Sequence, residues 1–275
     1  MKDRAVFDAH AHAVDPDVGR FPRRRPDFPA AWLADHARSA DDLVDRLVAN
    51  DVDGALLVQP QGAYGFDNRY VLEAATRSPM LAAVVSVDVT RPDRVDAVES
   101  VADAGAVGIR LFSIPTPDDR WLADPATFAA WEACRDRSLV VSVGCLPIEL
   151  AALARVASTF PDVAIVLDHC GFVDLVSDAT TLAEVADRPN VHLKVTGHVL
   201  HELAERGADP AAAVQALVAL VGADRLLWGS DWPQTGLSYR HSVAAAEQAT
   251  AGLSPTAADH ILGATAQRLH RQSMV

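Results

Sequence analysis

Two histidines one residue apart close the first apolar run of the chain, Val6-Phe7-Asp8-Ala9-His10-Ala11-His12. Side chains alternate faces along a strand, so His10 and His12 point to one side, about 7 Å apart along the strand. Two imidazoles on one wall can hold a metal ion or stabilise a developing oxyanion. Matching polar groups end two later apolar runs, His169 after Val163-Ala164-Ile165-Val166-Leu167-Asp168 and Asp231 after Leu226-Leu227-Trp228-Gly229-Ser230. The same alternation groups His10 and His12 with Asp8, His169 with Leu167, Arg110 with Gly108 and Phe112, Lys194 with His192 and Thr196, and Asp231 with Gly229. Charge inside a packed interior is expensive, so ionisable groups there need partners or a task.

The elements that must position these groups are short β-rich runs at 5–10, 54–59, 81–87, 107–112, 139–143, 163–169, 191–196 and 225–231. Between them lie stretches of helical periodicity such as 40–50, 68–78, 92–104, 125–136, 147–160 and 209–221. Eight strand-then-helix units in 275 residues predict one (β/α)8 barrel domain spanning 1–275, with its active site at the strand C-termini. A doubly wound sheet is the alternative, but no glycine-rich phosphate loop follows the first strand. The connection at 13–38 is the longest and carries Pro16, Pro22, Pro26 and Pro29, which marks it as a lid or wall of the pocket. Arg23-Arg24-Arg25 within it is either a solvated turn or a contact for an anionic substrate.

Composition sets outer bounds. Half the residues are apolar, enough for a large core. With 37 acidic and 24 basic side chains the net charge is −13, which argues against a nucleic-acid or anionic-membrane partner. Met1-Lys2-Asp3-Arg4 runs into a strand without a signal-peptide pattern, and no apolar segment approaches the ~20 residues of a membrane span, so the cytoplasm is the expected compartment. Cys134, Cys145 and Cys170 suggest neither a disulfide framework nor a thiolate zinc site. Oligomeric state is left open, a homo-oligomer included.

Several side chains carry two readings. Arg110 offers a bidentate fork to a substrate carboxylate or carbonyl, or forms a buried pair with an acid. Lys194 orients Asp231 or is a structural ion-pair partner. His198 and His201, beyond the seventh strand, reach the pocket or lie on the surface. His36, His192, His241, His260 and His270 read as hydrogen-bonded framework histidines.

The ordered set of motifs resembles the amidohydrolase superfamily, in its amidohydrolase-2 branch containing 2-pyrone-4,6-dicarboxylate lactonase and the sugar-acid lactonases. The matching segments are Phe7-Asp8-Ala9-His10-Ala11-His12, Gln59-Pro60 with Tyr64-Gly65-Phe66-Asp67-Asn68, Gly108-Ile109-Arg110, Leu167-Asp168-His169-Cys170-Gly171, Lys194-Val195-Thr196-Gly197, Trp228-Gly229-Ser230-Asp231-Trp232-Pro233 and 261–269. The resemblance implies a distorted barrel that opens a lactone by attack of water, with Asp231 as general base and His10, His12 and His169 polarising the carbonyl. Other chemistries open to it are a metal-dependent decarboxylase or C–C hydrolase, and, outside catalysis, a binding barrel.

Departures from the superfamily narrow the reading. The fifth strand ends Val143-Gly144-Cys145 without a histidine and the fourth offers Arg110, which argues against a binuclear metal centre. One divalent ion, zinc, on His10, His12, His169 and Asp231 stands beside a metal-independent site, since three nitrogens and one oxygen suit tetrahedral zinc. The extra arginines of the pyrone-dicarboxylate pattern are replaced by Ser113-Ile114-Pro115-Thr116 and Gly197-His198-Val199-Leu200, so a lactone with one acidic group or only hydroxyls is expected. Gln59, Gln61, Tyr64 and Arg110 are its expected contacts, with Lys194 nearby and Trp32 and Trp232 as walls. The rate is expected to fall on the acid side as a carboxylate protonates.

Overall fold

The computed structural model describes residues 4–24, 33, 37–113 and 120–270. Trp32, Arg25 and His36 lie outside the described residues, as does part of the connection after the first strand. Eight parallel strands run in sequence order: β1 (Phe7–Ala11), β2 (Gly54–Val58), β3 (Leu81–Ser86), β4 (Gly108–Phe112), β5 (Val140–Gly144), β6 (Ile165–Leu167), β7 (Val191–Thr196) and β8 (Leu226–Gly229). At the top of the sheet β8 returns to β1. The Asp231 amide donates to the His10 carbonyl at 2.7 Å and the His12 amide to the Trp232 carbonyl at 2.8 Å. The result is the expected (β/α)8 barrel, nearly closed.

Helices form where the apolar spacing and caps demand. Ser39 caps Ala40–Ala49 by accepting from the Asp42 amide, and the Asp42 carboxylate in turn accepts from the Ser39 amide, a reciprocal arrangement that satisfies two otherwise orphaned donors. Asp209 caps Pro210–Val221, with proline in the first turn. The predicted helices at 125–136 and 147–160 begin as 3₁₀ turns before Phe128–Asp136 and Leu150–Thr159. Gly197–Glu205 follows β7, Tyr239–Thr250 follows β8, and Thr265–His270 closes the chain's described part.

The barrel interior is layered. Toward the strand N-termini, Phe7, Ala9, Leu56, Val58, Val84, Val107, Val140, Val166 and Leu227 pack with Ala266 of the closing helix into one apolar plug. The opposite strand faces, including Leu57, Val85, Ile109, Val143, Leu167, Leu193 and Trp228, join the larger core under the helices. Above the plug the inward positions become polar. Gly229 makes room there, since a β-carbon on it would lie 2.5 Å from the His10 Cβ.

Two features break the simple alternation. The β1–β2 register shifts between Asp8 and Ala11, so Asp8 does not share the face of His10 and His12. Its carboxylate accepts instead from the Ser230 amide at 2.8 Å and the Tyr239 hydroxyl at 2.9 Å, a phenol on an outer helix. On β6 the strand stops at Leu167, whose side chain belongs to the outer core, so the expected pairing of His169 with Leu167 fails too. His169, Cys170, Gly171 and Phe172 all take left-handed φ values of 51–67°, and this turn swings His169 back over the barrel mouth.

Candidate active site

His10 sits at the centre of the polar layer. Its Nε2 is 3.2 Å from His12 Nε2 and 3.7 Å from Asp231 Oδ1, and His12 Nε2 is 3.4 Å from the same oxygen. One ligand atom from each of His10, His12 and Asp231 lies within 4.8 Å of the others, and all three residues are buried. Asp231 Oδ1 has no hydrogen-bond partner among the described residues. An unpartnered buried carboxylate oxygen facing two imidazoles asks for a proton, a water or a cation. His169 completes the ring of imidazoles, with its centroid 5.0 Å from that of His10 and its Nδ1 paired to Thr196 Oγ1 at 2.8 Å, but it is outside the three-residue metal-capable group.

Backbone and second-layer contacts fix the rings. His12 Nδ1 donates to the Val58 carbonyl at 2.8 Å, which fixes the ring with Nε2 turned to the site. Lys194 has three N–H donors and three acceptors around it: Asp168 Oδ1 at 2.7 Å, His10 Nδ1 at 3.1 Å and Ser142 Oγ at 3.4 Å. The lysine is thus a partner of Asp168 and His10, and its ammonium seats the His10 ring from behind. Arg110 resolves the same way, its Nε donating to Asp168 Oδ2 at 2.8 Å, so the guanidinium is in a buried pair with part of its fork left over.

Asp168 is the member of this network that the sequence reading passed over. It lies in phase with Val166, an inward residue of β6, as Lys194 and Arg110 are inward on theirs. That phase was the available signal. Burial alone would raise its carboxyl, but Lys194 and Arg110 outweigh burial and hold it well below the ordinary range.

Three of the expected substrate contacts are engaged by neighbouring loops and strands. Gln59 donates to the Gly65 and Asp67 carbonyls at 3.1 and 3.0 Å, Gln61 Oε1 accepts from Ser86 Oγ at 3.4 Å, and the Tyr64 hydroxyl takes bonds from the Asp15 amide and Arg23 Nη1, both at 2.8 Å. Tyr64 thus ties the loop after β2 to the loop after β1, Gln59 braces the loop after β2 on itself, and Gln61 ties it to the end of β3. Arg24 Nε reaches Asp67 Oδ2 at 3.3 Å, so two members of the arginine run serve the wall itself. Trp232 is buried against Tyr239, their ring centroids 6.1 Å apart. His198 stands edge-on to His169 with centroids 6.0 Å apart, whereas His201 pairs with Glu205 at 3.3 Å. All three cysteines are buried, and burial pushes the Cys134 and Cys170 thiols up to about 12, away from any thiolate role.

His10 and His169 are held neutral. Burial, reinforced by Lys194, keeps His10 well below its usual value, and burial pushes His169 down to about 4 against the pull of Asp231 and Asp168. Burial also works against the charge on Asp231, but His169, His12 and His10 around it hold its carboxyl below the ordinary carboxylate range. On acidification from neutral pH, His169 therefore gains its proton before Asp231 does.

Stability follows the same groups. His169, His192 and His270 are each pushed down to about 4 by burial, against about 6.5 in an unfolded chain. Between those values the unfolded chain binds protons that the folded chain does not, so this contribution is complete above pH 6.5 and is lost as pH falls toward 4. Each such group weighs about 1.4 kcal/mol per pH unit of the gap. Thermal unfolding followed across pH should show a falling Tm between pH 7 and 5; a Tm constant over that interval would contradict neutral burial of these rings.

A parallel barrel with its ionisable groups gathered at the strand C-termini defines a barrel enzyme. Residues 7–272 match the amidohydrolase family profile Amidohydro_2, and the chain belongs to that family. An L-fucono-1,5-lactonase of Burkholderia ambifaria is 34% identical over 184 residues, which cover 62% of this chain and 62% of that protein, less than two thirds of its length. A 4-sulfomuconolactone hydrolase of Rhizobium radiobacter is 25% identical over 248 residues, 85% of this chain and 77% of that protein. An amidohydrolase of Burkholderia multivorans with bound HEPES superposes with a TM-score of 0.80 at 22% identity over 97% of this chain and 99% of its own, and its zinc-bound form with 0.78. These superpositions establish the shared fold. Among the described residues no helix is long and apolar enough to cross a membrane.

Proposed function

We propose that this protein hydrolyses a lactone, with Asp231 as general base. The observation that carries the reading is the unpartnered, buried Asp231 Oδ1, set 3.4 and 3.7 Å from two imidazole nitrogens; lactone-hydrolysing relatives support it. Asp231 takes a proton from water as the water oxygen bonds to the carbonyl carbon. His10 and His169 face the oxygen that gains charge, where imidazole N–H groups stabilise an oxyanion. Collapse breaks the ring C–O bond, and the proton on Asp231 passes to the departing ring oxygen, giving a hydroxy acid. The free part of the Arg110 fork and the wall built from Tyr64 and Gln61 position the substrate.

A single zinc ion would be held by His12, Asp231 and, with the ring proton on Nδ1 toward Asp168 in place of the bond from Lys194, His10, with His169 alongside. When bound, the ion would polarise the carbonyl and lower the pKa of water. The chain's own contribution is the fixed ring of His12, locked by Val58, and the seating of His10 by Lys194 and Asp168. Elemental analysis of protein purified without chelator is expected to give one zinc per chain, lost in His12→Ala. Absence of stoichiometric metal together with full activity after chelation would favour the metal-independent form of the same mechanism.

The reaction is tested with a panel of lactones read by acid release. A homogeneous, metal-replete protein that opens none of them would overturn the proposal.

A further inference from the structure

A cavity of about 240 Å³ opens beside His169, between the turn after β6 and the helix Gly197–Glu205. It is smaller than the ~300–1,000 Å³ of whole-ligand pockets, a size suited to one arm of a ligand. His169 is its inner wall. Phe172 flanks it with its ring centroid 4.9 Å from that of His169, and at 37% exposure this is a large apolar face left open at the barrel mouth. The backbone holds that ring in place through non-glycine left-handed φ values at His169 (52°), Cys170 (51°) and Phe172 (51°), a cost that proteins concentrate at functional sites.

The polar side of the cavity is acidic. Arg206 lies at its edge, but its guanidinium is spent in two bonds to Asp174 at 2.8 and 2.9 Å and a contact with Glu202 at 3.6 Å. One cation against two carboxylates leaves net negative charge. Glu202 is 55% exposed, and its other near neighbour is His198 Nε2 at 3.9 Å, beyond hydrogen-bond distance. The cavity therefore offers an aromatic face, an imidazole and a carboxylate with acceptor capacity. Hydroxyl groups donate to such a carboxylate while the C–H face of the same chain lies on the aromatic ring; a carboxylate or sulfonate on the substrate would be repelled.

We infer that this cavity is the subsite for the hydroxylated arm of a neutral sugar lactone, with Glu202 and His198 binding its hydroxyls against Phe172. This rests on the lactonase reading, and adds to it which part of the molecule selects the substrate. Glu202 and His198 are specificity residues here; neither lies at the reacting carbonyl.

The test compares an aldono-1,5-lactone with δ-valerolactone, which has the ring and no arm. Glu202→Leu is expected to lower kcat/KM on the sugar lactone about 10-fold or more, through KM, the loss that follows removal of a hydrogen bond to a charged group. On δ-valerolactone the same variant should stay within about twofold, and Glu202→Gln should restore much of the sugar-lactone rate. Equal effects on both substrates, or none on either, overturn the subsite. Calorimetric binding of a non-hydrolysable aldonolactam separates this from failure of the reaction itself. Binding that weakens about 10-fold in Glu202→Leu upholds the subsite even where no lactone is turned over. Absence of lactam binding to the wild type, or binding indifferent to the substitution, overturns it.

Discussion

Asp231→Asn is expected to lower kcat on a lactone substrate by about two to four orders of magnitude, the usual worth of a positioned general base, with KM changed only a few-fold. The substitution suits the test because it leaves the local fold in place. Asp231 sits at φ 56°, and asparagine is among the few residues that accept that conformation readily. The backbone bond from the residue 231 amide to the His10 carbonyl does not involve the side chain. Alanine would instead add backbone strain of roughly 1–2 kcal/mol. What Asn removes is the proton-accepting oxygen beside His12 and His10. Zinc content measured on the same samples separates loss of the base from loss of an ion, and a kcat within tenfold of wild type in metal-replete protein would remove Asp231 from the proton-transfer step.

Period and phase carried most of the architecture from sequence to structure. Eight apolar runs spaced by helical stretches are enough to specify the barrel, and His10, Arg110, Lys194 and Asp231 do arrive at one end of it. Asp8 escaped because a register shift within β1 is a single-residue event that leaves the apolar pattern unchanged. Alternation places His169 in the right region for an incomplete reason: the strand ends two residues earlier, and left-handed backbone through Phe172 delivers the ring. Such a turn is marked in sequence only by Gly171, one glycine among fifteen. Asp168 was legible from its phase with Val166, yet the neighbouring histidine drew the chemistry to itself. Gln59 and Tyr64 show a different limit, since a buried polar side chain next to a site can be consumed by loop carbonyls and amides, and only coordinates show which.

The buried charge cluster beneath the site should be the most sensitive point of the fold. Asp168 and Lys194 are fully buried and Arg110 nearly so, with one anion bridging two cations. Desolvation opposes all three charges, so the cluster is poor evidence for net stabilisation, but removal of its anion leaves two uncompensated cations inside the barrel. Asp168→Leu is therefore expected to cost about 3–5 kcal/mol, the range for breaking one partner of a buried pair, with Tm lowered by on the order of 10 °C. Lys194→Met leaves Asp168 paired with Arg110 and should cost less. In the double variant Asp168→Leu/Lys194→Met one anion and one cation leave together, and Arg110 remains at the edge of the layer nearest the rim. The double variant should accordingly be more stable than Asp168→Leu alone, and a double-mutant cycle from denaturant unfolding should return a coupling of about 2 kcal/mol or more. The His10 ring gives a second readout, because both Lys194 and Asp168 approach its Nδ1, at 3.1 and 3.6 Å. Loss of the cluster should broaden or shift the His10 imidazole resonances even where the fold survives. Additive costs in the cycle, with unchanged His10 resonances, would mean that Asp168 and Lys194 act independently and that the layer below the site does not position it.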